Sequence, residues 1–327
     1  MLLVGGDIAR RTGGNLYDRH MERACRSAGV PLRIVSVRST AHARSELARL
    51  RPRLILIDSI AIPVAAPLVR WARAELGARV IALMHMPTSA RGTRGLLRAA
   101  DHVVAVSASL AGVLGVPRSR LTVIPPGRDG IPRVRRGARR PGGDGVLRVL
   151  SVANWSPSKG IATLVAAAAL VPEIQLDLVG DSGAGAYRAE VLARIRANGI
   201  GPRVVIHGPL GPVALARRYA QADVFVLPTE REGYGSVFAE ALEHGLPVIA
   251  SDIAPVRAIV GDAGLFVAPR RVRPLVIALR LMTDAWLRRR LAKNARDRAR
   301  GLPSWAASQR VFVTMVRREM RAAIAGR

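Results

Sequence analysis

Hydrophobic residues along the chain fall into short, nearly unbroken runs of valine, isoleucine and leucine, separated by longer stretches of mixed polarity. The first runs are Leu32–Val37, Leu54–Ile57, Val80–Leu83, His102–Val106 and Thr122–Ile124. A second series comprises Val146–Val152, Ile174–Val179, Arg203–Ile206, Asp223–Leu227, Pro247–Ala250 and Gly264–Val267. Runs of this kind suit parallel strands buried on both faces, whereas a half-exposed strand would alternate. Between them, Asn15–Ala28, Val64–Leu76, Ile161–Leu170 and Tyr187–Ala197 repeat at helical spacing. Regular alternation of β and α segments predicts βαβ units and doubly wound parallel sheets.

The alternation breaks once. Residues 128–145 contain six arginines, five glycines and two prolines without periodicity. That composition predicts a linker. The expected organisation is a first Rossmann-like domain over 1–130, a basic linker over 131–145 and a second Rossmann-like domain over 146–302. A C-terminal helix over 303–327 is expected to pack back on the first domain. Ligands of such sheets bind beyond the carboxyl ends of the strands, so a cleft between the two domains is the expected site.

Composition narrows the picture. The chain has 327 residues, half of them hydrophobic, and a net charge of +28. Of its 51 basic residues only Lys159 and Lys293 are lysine. Such a surface attracts polyanions, including an anionic membrane surface, without choosing among them. Aromatic residues make up only 4% of the chain and interleave with no basic stripe, which argues against specific nucleic-acid binding. The lone Cys25 excludes an intramolecular disulfide and fits a reducing, cytoplasmic compartment. The start of the sequence lacks a signal-peptide pattern, and no apolar run approaches the ~20 residues of a spanning helix.

The chemistry concentrates after the strand Asp223–Leu227. There a loop with Glu232, Gly233, Tyr234 and Gly235 leads into a helix starting near Ser236 and Val237, with Glu240 inside its first two turns. A helix N-terminus fed by a glycine loop is a ready anion site, and the two glutamates are acceptors suited to sugar hydroxyls. Lys159, in Asn154-Trp-Ser-Pro-Ser-Lys159-Gly160, follows the first strand of the second domain and can reach a phosphate at the strand ends. In the first domain Gly13-Gly14, after the first strand and before a helix, lets the backbone approach a ligand, and His85 stands just past Val80–Leu83. His207 and Asp181, near strand ends of the second domain, are weaker candidates for lining a nucleotide pocket.

Glu232-Gly-Tyr-Gly-Ser-Val-Phe-Ala-Glu240, with Ala222-Asp-Val-Phe-Val-Leu-Pro, Gly245-Leu-Pro-Val-Ile-Ala-Ser and Gly264-Leu-Phe-Val, resembles the signature of the retaining glycosyltransferases of family 4. The resemblance implies the GT-B fold and transfer of a hexosyl unit from a nucleotide diphosphate sugar to an acceptor hydroxyl of a glycan, lipid or small molecule. It implies that Glu240 holds the nucleotide ribose and that Glu232 contacts donor-sugar hydroxyls. The backbone of Tyr234–Val237 and Lys159 would hold the diphosphate, with His85 near the sugar and Gly13-Gly14 facing the donor. No metal and no cofactor are expected. Asn154 stands where the family pattern has an arginine. A nucleotide-sugar epimerase of the same fold is the alternative, with a basic nucleic-acid-binding protein behind it.

Overall fold

The computed structural model describes residues 1–132, 134 and 145–325. Most of the expected linker 131–145 therefore lies outside the described residues. The chain divides into two compact units. Unit 1 is Met1–Pro126 with Ser304–Arg327, and unit 2 is Gly127–Pro303.

Unit 1 holds the strands β1 (Leu2–Gly5), β2 (Ile34–Val37), β3 (Leu54–Asp58), β4 (Arg79–Met84), β5 (His102–Ala105) and β6 (Leu121–Val123). They form one parallel sheet in the order β2-β1-β3-β4-β5-β6. The central strands β3, β4 and β5 are buried nearly throughout, which explains their unbroken apolar sequence. The long helix Trp305–Ala325 belongs to this unit and packs on the helix Gly13–Ser27 and on β3 and β4. Phe312, Met315 and Val316 are its buried contacts.

Unit 2 holds β7 (Leu147–Val152), β8 (Ile174–Val179), β9 (Val204–Gly208), β10 (Val224–Leu227), β11 (Val248–Ser251) and β12 (Gly264–Val267). The order is β12-β11-β10-β7-β8-β9, again parallel throughout. The doubly wound architecture predicted by the hydrophobic pattern is thus present twice. The direction of winding reverses between β7 and β10, and between β1 and β3. Such switch points are where open α/β sheets receive ligands.

Three local readings change. The segment Val64–Leu76 is not one helix but Ile62–Ala65, a 3-10 turn over Ala66–Leu68, and Val69–Leu76. Pro67 cannot supply the N–H that a continuous helix needs there. Gly13 and Gly14 do not precede the helix; they are its first two residues, because the Thr12 side chain accepts from the Asn15 N–H as N-cap. Strand β1 has no range among the predicted runs, and Leu2–Gly5 supplies the strand that the reading of Gly13-Gly14 places ahead of them.

Candidate functional site

In unit 2 the loops after β7 and β10 lie side by side because their strands are neighbours in the sheet. The β7 loop runs through a 3-10 turn at Pro157–Lys159 into the helix Ile161–Ala169. Gly160 joins them with φ +69, and a β-carbon there would lie 2.3 Å from the Pro228 carbonyl oxygen. Only glycine permits that backbone approach. The approach is reinforced by the Glu230 N–H and the Thr229 hydroxyl, which donate to the Ser158 carbonyl at 2.7 and 3.1 Å. Two motifs 70 residues apart are thereby locked together.

The consequence is an ion pair. Lys159 Nζ lies 2.5 Å from Glu232 Oε1, with both side chains largely shielded. The helix Ser236–Glu243 begins beside them. Its N-cap is Gly235 at φ +97, where a β-carbon would strike the Phe238 ring, and no side chain caps the first turn. The N–H groups of Ser236 and Val237 open that helix, an arrangement suited to an anion. Gly233 and Tyr234 are buried in the same loop. The Tyr234 hydroxyl finds no hydrogen-bond partner among the described residues, and burial pushes its pKa up to about 12.

Glu240 sits one to two turns into this helix, apart from the Lys159–Glu232 pair. The buried Tyr219 hydroxyl donates to its Oε2 at 2.9 Å. His244 is the helix C-cap, with Nδ1 2.9 Å from the Glu240 carbonyl oxygen. Asn154 has a loop-tying part: its Oδ1 accepts from the Asp181 N–H at 3.1 Å, while the Trp155 N–H donates to the Asp181 carbonyl at 2.8 Å. These bonds join the ends of β7 and β8. His207, on edge strand β9, pairs with Asp177 of β8 at 2.5 Å. That contact is among strand neighbours, and it does not bring His207 to the Lys159–Glu232 pair.

Unit 1 assembles its own cluster at its switch point. His85, just past β4, places Nε2 at 3.0 Å from Asp18 Oδ1 and 3.4 Å from Asp58 Oδ1. Asp58 ends β3, and Asp18 lies one turn into the helix that Gly13 and Gly14 open. A β-carbon on Gly14 would come within 3.3 Å of the imidazole, so the helix start packs on the ring. Tyr17 meets the same ring edge-on at 5.1 Å. Burial works to lower the His85 pKa, but the Asp18 charge and hydrogen bond, with the Asp58 charge, outweigh it and the net shift is upward. The Asp58 pKa is also raised, chiefly by burial, against the His85 charge and the bonds from Ile60 N–H and Ser59.

The motif reading found His85 but missed Asp18 and Asp58. They lie 67 and 27 residues from the histidine, and no spacing rule joins them. Ligand atoms of the three fall within 4.8 Å of one another, the spacing a metal ion could use among the described residues. No such cluster was visible in the sequence. Cys25 is buried, and its thiol is pushed up to about 12, chiefly by burial, which suits packing rather than nucleophilic chemistry.

Comparison with known proteins adds to this geometry. The profile of the glycosyl transferases group 1 family matches residues 140–298. The D-inositol 3-phosphate glycosyltransferase of Nocardia farcinica is 32% identical over 235 residues, covering 66% of this chain and 52% of that protein. The chain thus spans about half the length of that relative. Among solved structures, sucrose-phosphate synthase from Thermosynechococcus elongatus matches with TM-score 0.83 at 23% identity, covering 98% of both chains. Anabaena HepE in complex with UDP-glucose matches with TM-score 0.77 at 16% identity, over 96% of this chain and 98% of that one. At such identities the structural likeness speaks for the fold. Residues 140–298, most of unit 2, are thus similar in sequence to the group 1 glycosyl transferases, and nearly the whole chain shares the GT-B fold of the solved structures.

Proposed function

We propose that the protein is a retaining glycosyltransferase that moves a hexosyl unit from a nucleotide diphosphate sugar to an acceptor hydroxyl. One observation carries this reading: Lys159, Glu232 and the uncapped start of the Ser236 helix converge at the β7/β10 switch point. A departing nucleoside diphosphate gains negative charge as the glycosidic bond breaks. Lys159 and the helix N–H groups would stabilise that charge without reorganising. Glu232, now paired with Lys159, would turn to the donor-sugar hydroxyls when phosphate takes the lysine. Glu240 would accept from the ribose.

HepE was solved with UDP-glucose, so UDP-sugars are the first donors to try, followed by GDP- and ADP-sugars. The positive charge on phosphate comes from Lys159, helix dipole and backbone amides, and the reaction is proposed to need no metal. A fixed cation and backbone donors of this kind are each worth on the order of 10²–10³ in rate. Lys159→Ala is therefore expected to lower kcat at least ~100-fold while keeping the fold, and Glu240→Ala, which removes a ribose contact, to raise the donor KM. Wild-type kinetics in both variants would overturn the assignment. A product of inverted anomeric configuration, read by NMR, would overturn retention, and loss of rate in EDTA would overturn metal independence.

A further inference from the structure

The carboxylate assigned to the ribose is held from behind by a side chain that no motif contains. Tyr219, on the helix Pro212–Gln221, is fully buried, and its hydroxyl lies 2.9 Å from Glu240 Oε2. The other acceptor near that hydroxyl, the Val237 carbonyl, is at 3.5 Å and is a poor competitor for the single proton. The ring has two aromatic neighbours among the described residues. It stacks on His244 at 4.8 Å and 19°, and it lies 6.1 Å from Phe225 of β10. His244 in turn bonds the Glu240 backbone carbonyl, so side chain and main chain of Glu240 are gripped by one stacked pair.

We infer that Tyr219 is a positioning residue for ribose recognition: its buried hydroxyl fixes the Glu240 carboxylate in the rotamer that meets the ribose hydroxyls of the donor. This rests on the donor reading above. A glutamate side chain left to itself samples many rotamers, and ordering it on binding costs affinity. The tyrosine removes that cost beforehand. Its pKa lies well above the ordinary 10, through burial first and the Glu240 charge second, so the hydroxyl stays a donor at every working pH. Neither residue has to move for the contact to exist.

The test uses the full chain and calorimetric binding of UDP, GDP and ADP, with the 2′,3′-dideoxy form of whichever binds tightest. The wild type should prefer the ribose form. Tyr219→Phe keeps the ring and the stack, and should weaken the ribose form about 10-fold while leaving the dideoxy form unchanged. In a Glu240→Ala background the same change should add nothing, since the two residues act as one unit. With an active donor, KM should rise and kcat stay within about twofold. Equal weakening of both nucleotide forms, no weakening of either, or full additivity with Glu240→Ala would overturn the inference. A wild type that binds both forms equally, or binds no nucleotide, would instead overturn the ribose reading of Glu240 on which it stands.

Discussion

The histidine of unit 1 shows what a single side chain's surroundings decide. His85 Nε2 faces two carboxylates, and the upward shift of its pKa means the ring carries its proton to higher pH than a free histidine at about 6.5. A basic group with a raised folded pKa stabilises the fold fully below its unfolded value, and that contribution is lost as pH rises through the folded value. The raised Asp58 pKa has the same sign but an earlier window, since its buried charged form begins to cost stability as pH rises past the ordinary 3.8. Unit 1 should therefore lose stability as pH climbs above neutrality. Asp18→Asn removes the nearest charge and should bring the His85 titration down toward 6.5 or below. The imidazole proton shift in an NMR titration reads this directly, and an unmoved midpoint would show that Asp18 is not the cause. The sequence placed His85 at a strand end but could not reveal its state, because the state depends on partners from two other elements.

At the scale of elements, the buried strands were legible because burial on both faces leaves no room for polar residues. The Glu232–Glu240 segment was legible because strand, glycine loop and helix follow one another without interruption. Other features depend on packing between distant segments. The Gly160 approach to Pro228 is of this kind, as are the Tyr219–Glu240 bond and the use of Asn154 to tie two loops. Asn154 draws notice in the sequence only as a missing arginine; in the structure its oxygen has a definite employment. The glycine can be tested. A β-carbon at position 160 would overlap a carbonyl and force a positive φ on alanine. Gly160→Ala should cost roughly 1–3 kcal/mol, from backbone strain and overpacking. For a unit of this size that corresponds to a fall of several degrees in the melting midpoint. A wild-type midpoint would mean that the two loops part without cost, and that the Lys159–Glu232 pair is not held by them.

On the scale of the molecule, the bulk charge of +28 proved the least informative number, since the acids that matter are those the structure shelters. Glu319 of the last helix is 4% exposed and pairs with Arg79 of β4 at 2.7 Å. Arg318 meets its other oxygen at 2.9 Å. Burial alone would raise the Glu319 pKa, but the hydrogen bonds from Arg79 and Arg318 outweigh it and the net shift is downward. Such a carboxylate stabilises the fold above its unfolded value near 4.5, and the gain is lost as pH falls through the lower folded value. Glu319→Ala leaves Arg79 with Asp101 at 3.6 Å as its remaining carboxylate and should cost about 1–3 kcal/mol. Denaturant unfolding at pH 7 and pH 3 would measure it, and a difference that does not shrink in acid would exclude the ion pair as its source.

The placement of that helix reaches further than its contacts. Unit 1 is discontinuous, and unit 2 is in effect an insertion between residues 126 and 304. Arg128 straps the two ends of the insertion together, its N–H on the Pro303 carbonyl at 3.0 Å and its Nη1 on that of Leu302 at 2.6 Å. A ribosome delivers a chain from one end. All of unit 2 is therefore available to fold while unit 1, though begun first, still lacks the helix that covers β3, β4 and the Gly13–Ser27 helix. The half that carries His85 is completed last, and its unfinished apolar face is the stretch of the nascent protein most in need of a chaperone.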